Sequence, residues 1–458
     1  MPIQLEYVPS DTEKALNKEK TDTISRSLYF ARFTNPQLEK KDRQDYFTEG
    51  FKTQPSIVRL QSWQRLITSD AFKGEVLYAQ LQSRLMVNMA GGVMENAGLC
   101  LDRFGMPYIP GSAVKGCARR AALAALREWS EAGGQAEHKP SGTDNPFSSA
   151  CDVFNTPVEM LAAIARVFGW CEQDWNDKKD VKGRYKSDFA WACGSSQNDF
   201  WPALRITTTR QLAPALGIRL TADDPEPWTS LPNFAGSIAF LPAHPVDLGE
   251  PGKLELDIVT GHHKDYYSSK DSMAVARDTE EPVPVVFPTV AAGHIFAFAV
   301  AKLQTGSASD QAVATAWLTT GLTIFGVGAK TNAGYGWFED VTEKICSANA
   351  ARAALLEKEE REARQRAELE AARANLQPDP VLLSKLVGMN EADRRGQFNS
   401  FAYPPLDWTQ KDERTQLTIL HFLMATAPEF LASERSNPKK NIAKAIANLT
   451  AKFPSVQP

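Results

Sequence analysis

One segment in the first quarter of the chain alternates between apolar and polar side chains at every second position. One face would carry Leu77, Ala79, Leu81, Leu85 and Val87, and the other would carry Tyr78, Gln80, Gln82 and Arg84. Successive side chains of an extended chain point to opposite sides, so this period of two is typical of a strand with one buried face. The pattern predicts a half-buried β-strand over residues 76–88.

Helix and strand patterns follow one another through the centre of the chain. A hairpin is predicted at 99–109, with its turn at Arg103–Gly105. Ser112 is a favourable N-cap for a helix that we expect to reach about Trp129. Further helices are predicted at 157–170 and 309–325, and strands at about 236–241, 253–259, 294–302 and 335–341. This order predicts an α+β fold compatible with a ferredoxin-like (RRM-like) core, with an insertion around 130–232.

The two ends of the chain differ from this centre. Residues 1–70 are polar and predict an N-terminal extension of short helices and loops, so the central domain is expected at 71–344. Residues 345–377 predict a charged helical linker, whose equal numbers of acidic and basic side chains exclude a continuous phosphate-binding stripe. Residues 378–458 predict a helical domain. Its last helix would bury Ile442, Ile446 and Leu449 and expose Arg435, Lys439, Lys440 and Lys444.

Composition limits the classes of protein that these elements could form. The 458 residues are 43% hydrophobic and 23% charged, which is ordinary for a globular chain. No apolar run approaches the roughly 18 residues of a membrane span, and six scattered cysteines predict reduced thiols, so we expect a cytoplasmic protein. The net charge of −4 argues against a stand-alone nucleic-acid-binding protein. It is compatible with one subunit of a larger ribonucleoprotein.

The segment GVGAKTNAGYGWF at 326–338 is the densest group of glycines in the chain. A Walker A loop requires Gly directly before Lys, and Ala329 separates Gly328 from Lys330, so ATP binding is not expected. A dinucleotide fingerprint also fails, because Thr331 stands where its third glycine would be. Two interpretations remain open. The glycines could only permit tight packing, or Lys330, Thr331 and Asn332 could contact RNA phosphates and 2′-hydroxyls beside backbone amides.

Two further segments carry candidate chemistry. The sequence IPGSAVKG at 109–116 leads into a helix on which Ser112, Lys115 and Arg119 would share a face, with Arg120 following. Such a face is either a phosphate track or an ordinary solvated surface. His262 and His263 stand near Asp257 and Asp265. They could be packing residues, RNA or subunit contacts beside Lys264 and Tyr266, or a general base, whereas a zinc site would need more ligands at compact spacing.

These segments together resemble the RAMP superfamily of CRISPR effector proteins. The carriers of the resemblance are IPGSxxKG before a helix and the late glycine loop. The stretches GSIAFLPAHP at 236–245 and LDIVTGHHKDYY at 256–267 are similar to the family of sixth Cmr subunits of type III-B complexes. This chain has Pro242 where that family commonly has Asp. The resemblance covers about residues 75–340.

The resemblance implies a function. It implies a non-catalytic subunit that caps the backbone filament, holds the 3′ part of the CRISPR RNA, and meets target RNA and other RAMP subunits. Neither a cofactor nor a metal is implied. In backbone subunits of the superfamily an Asp after the first strand cleaves target RNA, whereas here that loop offers only Glu95. The alternatives are a Cas6-like endoribonuclease that uses His262 or His263, and a scaffold that touches only protein.

The predicted RNA-binding residues come from all three segments. They are Gly111, Ser112, Lys115, Arg119, His262, His263, Lys264, Gly326, Gly328, Lys330, Thr331, Asn332, Gly334 and Gly336.

Overall fold

The computed structural model describes most of the central part of the chain and several stretches outside it. The described ranges are 25–69 without 33, 36, 40 and 56, then 75–91, 98–171, 188–193, 233–246, 252–390, 411–426 and 441–454, with single residues 10, 14, 216, 392, 393 and 456. Glu95, Arg435, Lys439 and Lys440 lie outside them, as do the side chains of Lys264 and Ile442.

The described residues form two compact units, Met1–Ile345 and Cys346–Pro458. The helices of the first unit are α1 (Arg26–Ala31), α2 (Arg43–Lys52), α3 (Val58–Ile67), α4 (Gly111–Glu131), α5 (Ser148–Cys151), α6 (Pro157–Phe168), α7 (Asp188–Cys193), α8 (Lys264–Ser268) and α9 (Ala308–Thr320). Its strands are β1 (Glu75–Leu81), β2 (Gly169–Trp170), β3 (Phe234–Ala235), β4 (Ile238–Phe240), β5 (His244–Pro245), β6 (Leu254–Gly261), β7 (Val283–Val290), β8 (Ile295–Lys302) and β9 (Phe338–Asp340).

The main sheet is antiparallel. Its strands lie in the order β4-β8-β1-β9, and β5 also pairs with β8. In the central pair Leu77 lies opposite Phe298 and Ala79 opposite Phe296. Helix α4 lies between β1 and β4 in the chain, and α9 lies between β8 and β9. The mixed fold of helices and antiparallel strands that the sequence predicts is therefore present.

Both faces of this sheet are covered. Leu77, Leu81 and Phe298 on the first face belong to the large core that includes the apolar side chains of α4, α6 and α9. On the second face Tyr78 and Ala299 are buried together with Trp63 of α3. The N-terminal helices therefore complete a second, smaller core on the side of the sheet opposite α4 and α9.

Residues 254–290 form a separate two-stranded hairpin of β6 and β7. Strand β7 was not expected from the sequence, because Pro284 and Pro288 interrupt its apolar run and prolines argue against a central strand. In a two-stranded ladder every second amide of β7 faces away from β6, so prolines four residues apart can occupy positions that need no partner. Val290, at the end of β7, exchanges backbone hydrogen bonds with Leu85.

Two boundaries differ from the predictions. The first strand ends at Leu81 rather than at residue 88, because the chain then turns to run beside the glycine loop and Val290. Ser112 is not the N-cap of its helix. The carbonyl of Pro110 accepts from the amides of Ala113 and Val114 at 2.9 and 3.1 Å, so α4 begins at Gly111 with Pro110 as its N-cap. The predicted hairpin at 99–109 is confirmed, with Leu101 opposite Pro107.

The described elements of the second unit are helices. They are α10 (Thr342–Ala374), which begins in the first unit, α11 (Pro380–Val387), α12 (Glu413–Thr426) and α13 (Asn441–Lys452). Ile446 and Leu449 are buried with Leu420 and Phe422, as predicted for the apolar face of the last helix, and Lys444 is exposed. Glu413 accepts from Arg373 at 2.9 Å and from Lys452 at 3.0 Å.

Candidate nucleic-acid interface

The glycine loop leaves α9 through one turn of π-helix and returns to β9. Gly326, Gly328, Gly334 and Gly336 all have positive φ, between 68° and 98°. Three of them also leave no room for a side chain. A Cβ on Gly326, Gly328 or Gly336 would lie 2.7, 2.4 or 2.0 Å from a backbone carbonyl oxygen. A Cβ on Gly334 would meet open space. Packing therefore accounts for three glycines, whereas Gly334 is required only by its backbone conformation.

Most of the loop's described amides point inward. The amide of Ala329 donates to Met86 O at 2.7 Å, and that of Gly336 donates to Arg84 O at 2.8 Å. The amide of Val327 donates to Gly336 O at 2.9 Å. These three bonds fix the loop against itself and against residues 84–86. Their amides are consequently not available to a phosphate.

The tip of the loop faces outward. Asn332 and Gly334 are exposed, and Lys330 and Thr331 are half-buried. Lys330 has φ 59°, a left-handed conformation that side chains other than glycine and asparagine seldom adopt. Its Nζ lies 4.9 Å from the centroid of the Phe287 ring. Trp337 Nε1 donates to Thr331 O at 3.1 Å, so the tip is a folded structure that presents Lys330 and Asn332.

Helix α4 meets the start of the loop. Cys117 Sγ donates to Gly326 O at 3.6 Å, and the guanidinium of Arg120 lies 4.4 Å from the centroid of the Phe325 ring. At the N-terminus of the helix, a Cβ on Gly111 would lie 2.4 Å from Phe240 O. The structure thus brings the two predicted segments into contact, and Gly111 is fully accounted for by packing against β4.

The predicted phosphate track on α4 is only partly available. Ser112 is exposed and Lys115 is half-buried. Arg119 pairs with Asp188 at the start of α7 and also lies 5.1 Å from the centroid of the Phe189 ring. Arg120 is exposed and faces the glycine loop instead. Arg120 is absent from the predicted RNA-binding residues because Ser112, Lys115 and Arg119 share one face of the helix, and Arg120 lies 100° around the helix from Arg119.

A polar network joins the loop to the β6–β7 hairpin. Arg84 contacts Glu255 at 2.7 Å and Asp257 at 3.0 Å, and the hydroxyl of Tyr335 donates to the same Asp257 oxygen. Partial burial acts to raise the pKa of Asp257, but the hydrogen bonds from Tyr335 and the Ile258 amide and the charge of Arg84 lower it overall. Burial and the bond to Asp257 raise the pKa of Tyr335 to about 12. Asp257 is thus a structural carboxylate and is committed to this network.

The two histidines lie at the far end of the hairpin. His262 is exposed, and His263, with φ 59°, places Nδ1 3.1 Å from Arg277 O. Asp257, in the middle of β6, contacts Tyr335 of the glycine loop, and His262 is five residues further along an almost continuous strand. At the strand rise of about 3.3 Å per residue, the two are roughly 16 Å apart. The structure therefore does not bring His262 and His263 together with the glycine loop.

The described residues contain no group of three or more His, Cys, Asp and Glu side chains placed to hold a metal ion. Within the same ranges, no helix combines the length and the apolar character needed to cross a membrane.

Comparison with known proteins identifies relatives of the central part of the chain. Residues 88–339 match the sequence model of the RAMP superfamily. The CRISPR system Cmr subunit Cmr6 of Pyrococcus furiosus is 26% identical over 261 residues, or 56% of this chain and 64% of that protein. The chain therefore aligns with just under two thirds of the length of this relative.

Two solved structures are also similar in part. The crystal structure of Cmr6 from Pyrococcus furiosus has 21% identity and a TM-score of 0.27, covering 59% of this chain and 98% of that chain. The cryo-EM structure of the Type III-B Cmr-beta bound to cognate target RNA has 16% identity and a TM-score of 0.31, covering 72% and 74%.

Proposed function

The chain belongs to the RAMP superfamily, and from this we propose that it is an RNA-binding subunit of a type III-B CRISPR effector complex. Its partners would be the CRISPR RNA, target RNA paired with that guide, and neighbouring RAMP subunits. It would cap the backbone filament near the 3′ part of the guide and work in the cytoplasm. The relative named Cmr6 supports this assignment.

The main support for this proposal is the contact between α4 and the glycine loop. Arg120 and Asn332 are exposed, Lys330 is half-buried, and a Cβ on Gly334 would meet open space. Phosphate contacts from such residues fix the path of an RNA strand without reading its bases. The bases would stay free to pair with target RNA, as guide-based recognition requires.

The covered second face of the sheet also supports RNA binding at the glycine loop and α4. We take the core to be ferredoxin-like, because the order β4-β8-β1-β9 with α4 and α9 as its two connections matches that plan. In RRM domains the open face of such a sheet stacks bases on aromatic side chains. Here that face is covered by Trp63 and Ile67 of α3. RNA would therefore run along the loop and α4, and not across the sheet.

We propose that this subunit does not cut RNA. A general base must come within hydrogen-bond reach of the hydroxyl that it deprotonates. His262 and His263 lie roughly 16 Å along β6 from Asp257, which contacts Tyr335 of the loop. A nucleotide bound at the loop itself would therefore be out of their reach. This argues against the endoribonuclease alternative.

The scaffold alternative retains one supporting observation. Packing within the chain alone explains Gly326, Gly328 and Gly336, so the glycine pattern does not by itself require RNA. Lys330 distinguishes the two functions. Its left-handed conformation and its contact with the Phe287 ring hold a positive charge beside the exposed residues Asn332 and Gly334, where RNA binding would use it.

The test uses the effector complex assembled with guide RNA. Replacing Lys330 and Asn332 together by alanine should weaken guide binding on the order of tenfold, since two contacts to the RNA backbone would be lost. Lys358→Ala, on the exposed face of α10, is the matched control and should bind as the wild type does. Unchanged guide affinity in the double variant, with normal assembly, would support the scaffold instead.

A further inference from the structure

Basic side chains of the first unit fall into two groups, according to whether their partner is a carboxylate or an aromatic ring. In one group an arginine is paired with a carboxylate. These pairs are Arg84 with Glu255 and Asp257, Arg119 with Asp188, Arg127 with Glu131, and Arg166 with Asp310. A paired arginine is already neutralised, and binding RNA through it would require that pair to break. Such residues contribute to the fold more than to attraction of an anion.

Two basic residues at the glycine loop belong to a second group. The guanidinium of Arg120 lies 4.4 Å from the centroid of Phe325, and Lys330 Nζ lies 4.9 Å from that of Phe287. Among the described residues neither cation forms an ion pair with a carboxylate. An aromatic face attracts a cation through its quadrupole and leaves the net charge in place. These side chains are thus oriented and still carry uncompensated positive charge.

Their positions bracket one short stretch of backbone. Phe325, under Arg120, immediately precedes Gly326, and Lys330 follows Gly328 by two residues. Cys117, one turn before Arg120 on α4, contacts Gly326 O. Gly328 between them is exposed, so this stretch of backbone is open to solvent.

We propose that Arg120 and Lys330 are the phosphate-binding cations of this surface and that the neighbouring Arg119 is a structural residue. This inference rests on the proposed function, which supplies RNA as the ligand, and it identifies which positive charges bind it. An aromatic ring lowers the entropy that each long side chain loses on binding, because the ring already restricts its rotamers. The ligand is the sugar–phosphate backbone of a single RNA strand, bound without regard to sequence.

The experiment measures how binding of single-stranded RNA of guide length to the full chain depends on salt. Each phosphate contact to a single strand contributes about 0.7 to the slope of log affinity against log salt concentration. Arg120→Gln and Lys330→Gln should each reduce that slope by about 0.7. Arg119→Gln should lower the unfolding midpoint and leave the slope unchanged. Arg120→Lys keeps the charge and should keep the wild-type slope.

Arg103 supplies a control for the ring contact itself. It lies 4.8 Å from the centroid of Phe104, in the hairpin turn beside α1, and its carbonyl accepts from Ser25 Oγ. Arg103→Gln should bind RNA with the wild-type slope. This result would show that an arginine on an aromatic ring does not contribute to RNA binding when it lies away from the glycine loop.

The outcomes separate the inference from the function on which it rests. If Arg119→Gln reduces the slope as much as Arg120→Gln does, or if Arg120→Gln leaves it unchanged, the assignment of the cations is overturned while RNA binding stands. If the wild-type chain shows no salt-dependent affinity for RNA, either alone or in the assembled complex, the proposed function fails and this assignment fails with it.

Discussion

At the scale of single residues, the four loop glycines are not equivalent. All four have positive φ, but only Gly334 has free space where a Cβ would be. We expect Gly334→Ala to cost about 1–2 kcal/mol, the strain of a left-handed backbone alone. Gly336→Ala should cost about 3–5 kcal/mol, because its Cβ would also press on Val327 O. Urea denaturation of the two variants measures the difference. Equal losses would contradict the packing described for the loop.

Asp257 predicts a specific dependence of stability on pH. Its pKa is lowered in the folded protein, chiefly by Tyr335, Ile258 N–H and Arg84 acting against partial burial. A lowered carboxyl pKa stabilises the fold above the unfolded value of about 3.9, and this contribution is lost as pH falls through the lower, folded value. Asp257→Asn should therefore be less stable at neutral pH and lose less on acidification. Denaturation midpoints between neutral and acidic pH would show parallel curves if this network were unimportant.

Sequence spacing indicates which positions of the loop require glycine. It does not indicate which of the two adjacent arginines would bind RNA. Arg119 and Arg120 are neighbours in the chain and point 100° apart around α4. The partner that commits Arg119 to the fold is Asp188, 69 positions away and beyond the reach of helical periodicity. Only the packing of α7 against α4 separates the two roles.

At the scale of secondary-structure elements, helix α3 determines which surface of the sheet is available. Trp63 is 8% exposed and packs on Tyr78, Ala297 and Ala299. Trp63→Ala should destabilise the protein by about 3–5 kcal/mol through lost burial. RNA affinity per folded molecule should not change, since the sheet does not hold RNA in this account. A gain or loss of RNA affinity in the folded variant would implicate the sheet face.

The sequence patterns predicted elements best where packing and period agree. The apolar faces of α4 and α9 predicted helices close to those observed, and the alternation in β1 predicted a strand that begins close to the observed position. Strand β7 was missed because Pro284 and Pro288 resemble strand breakers, and their tolerance depends on the ladder having only two strands. Similarly, β1 ends early because Leu85 pairs with Val290, a contact made across some 200 residues of chain. Such long-range partners are not encoded in local periodicity.

At the scale of the whole molecule, the division into two units predicts independent folding. The large core and the second-face core lie within Met1–Ile345, and the helices after it have their own buried cluster around Leu420 and Phe422. A chain ending at Ile345 should therefore unfold cooperatively, with a midpoint close to that of the corresponding transition in the full chain. Circular dichroism during urea titration measures this. A truncated chain without a cooperative transition would show that the first unit needs residues after 345.

The net charge of the chain also indicates that RNA binding depends on local groups of cations. With a net charge of −4 the chain lacks the general positive field that attracts nucleic acid. Binding must then depend on a few uncompensated cations, of which Arg120 and Lys330 are the two at the glycine loop. Removing them should consequently have a larger relative effect here than in a strongly basic protein.

Photo-crosslinking of guide RNA to this chain in the assembled complex, with the crosslinked peptides identified by mass spectrometry, tests whether the glycine loop and α4 hold the RNA. We expect crosslinks in the loop tip around 330–334 and in the third turn of α4 around Arg120. Crosslinks confined to the sheet, to the His262–His263 end of the hairpin or to the second unit, with none at the loop, would contradict it.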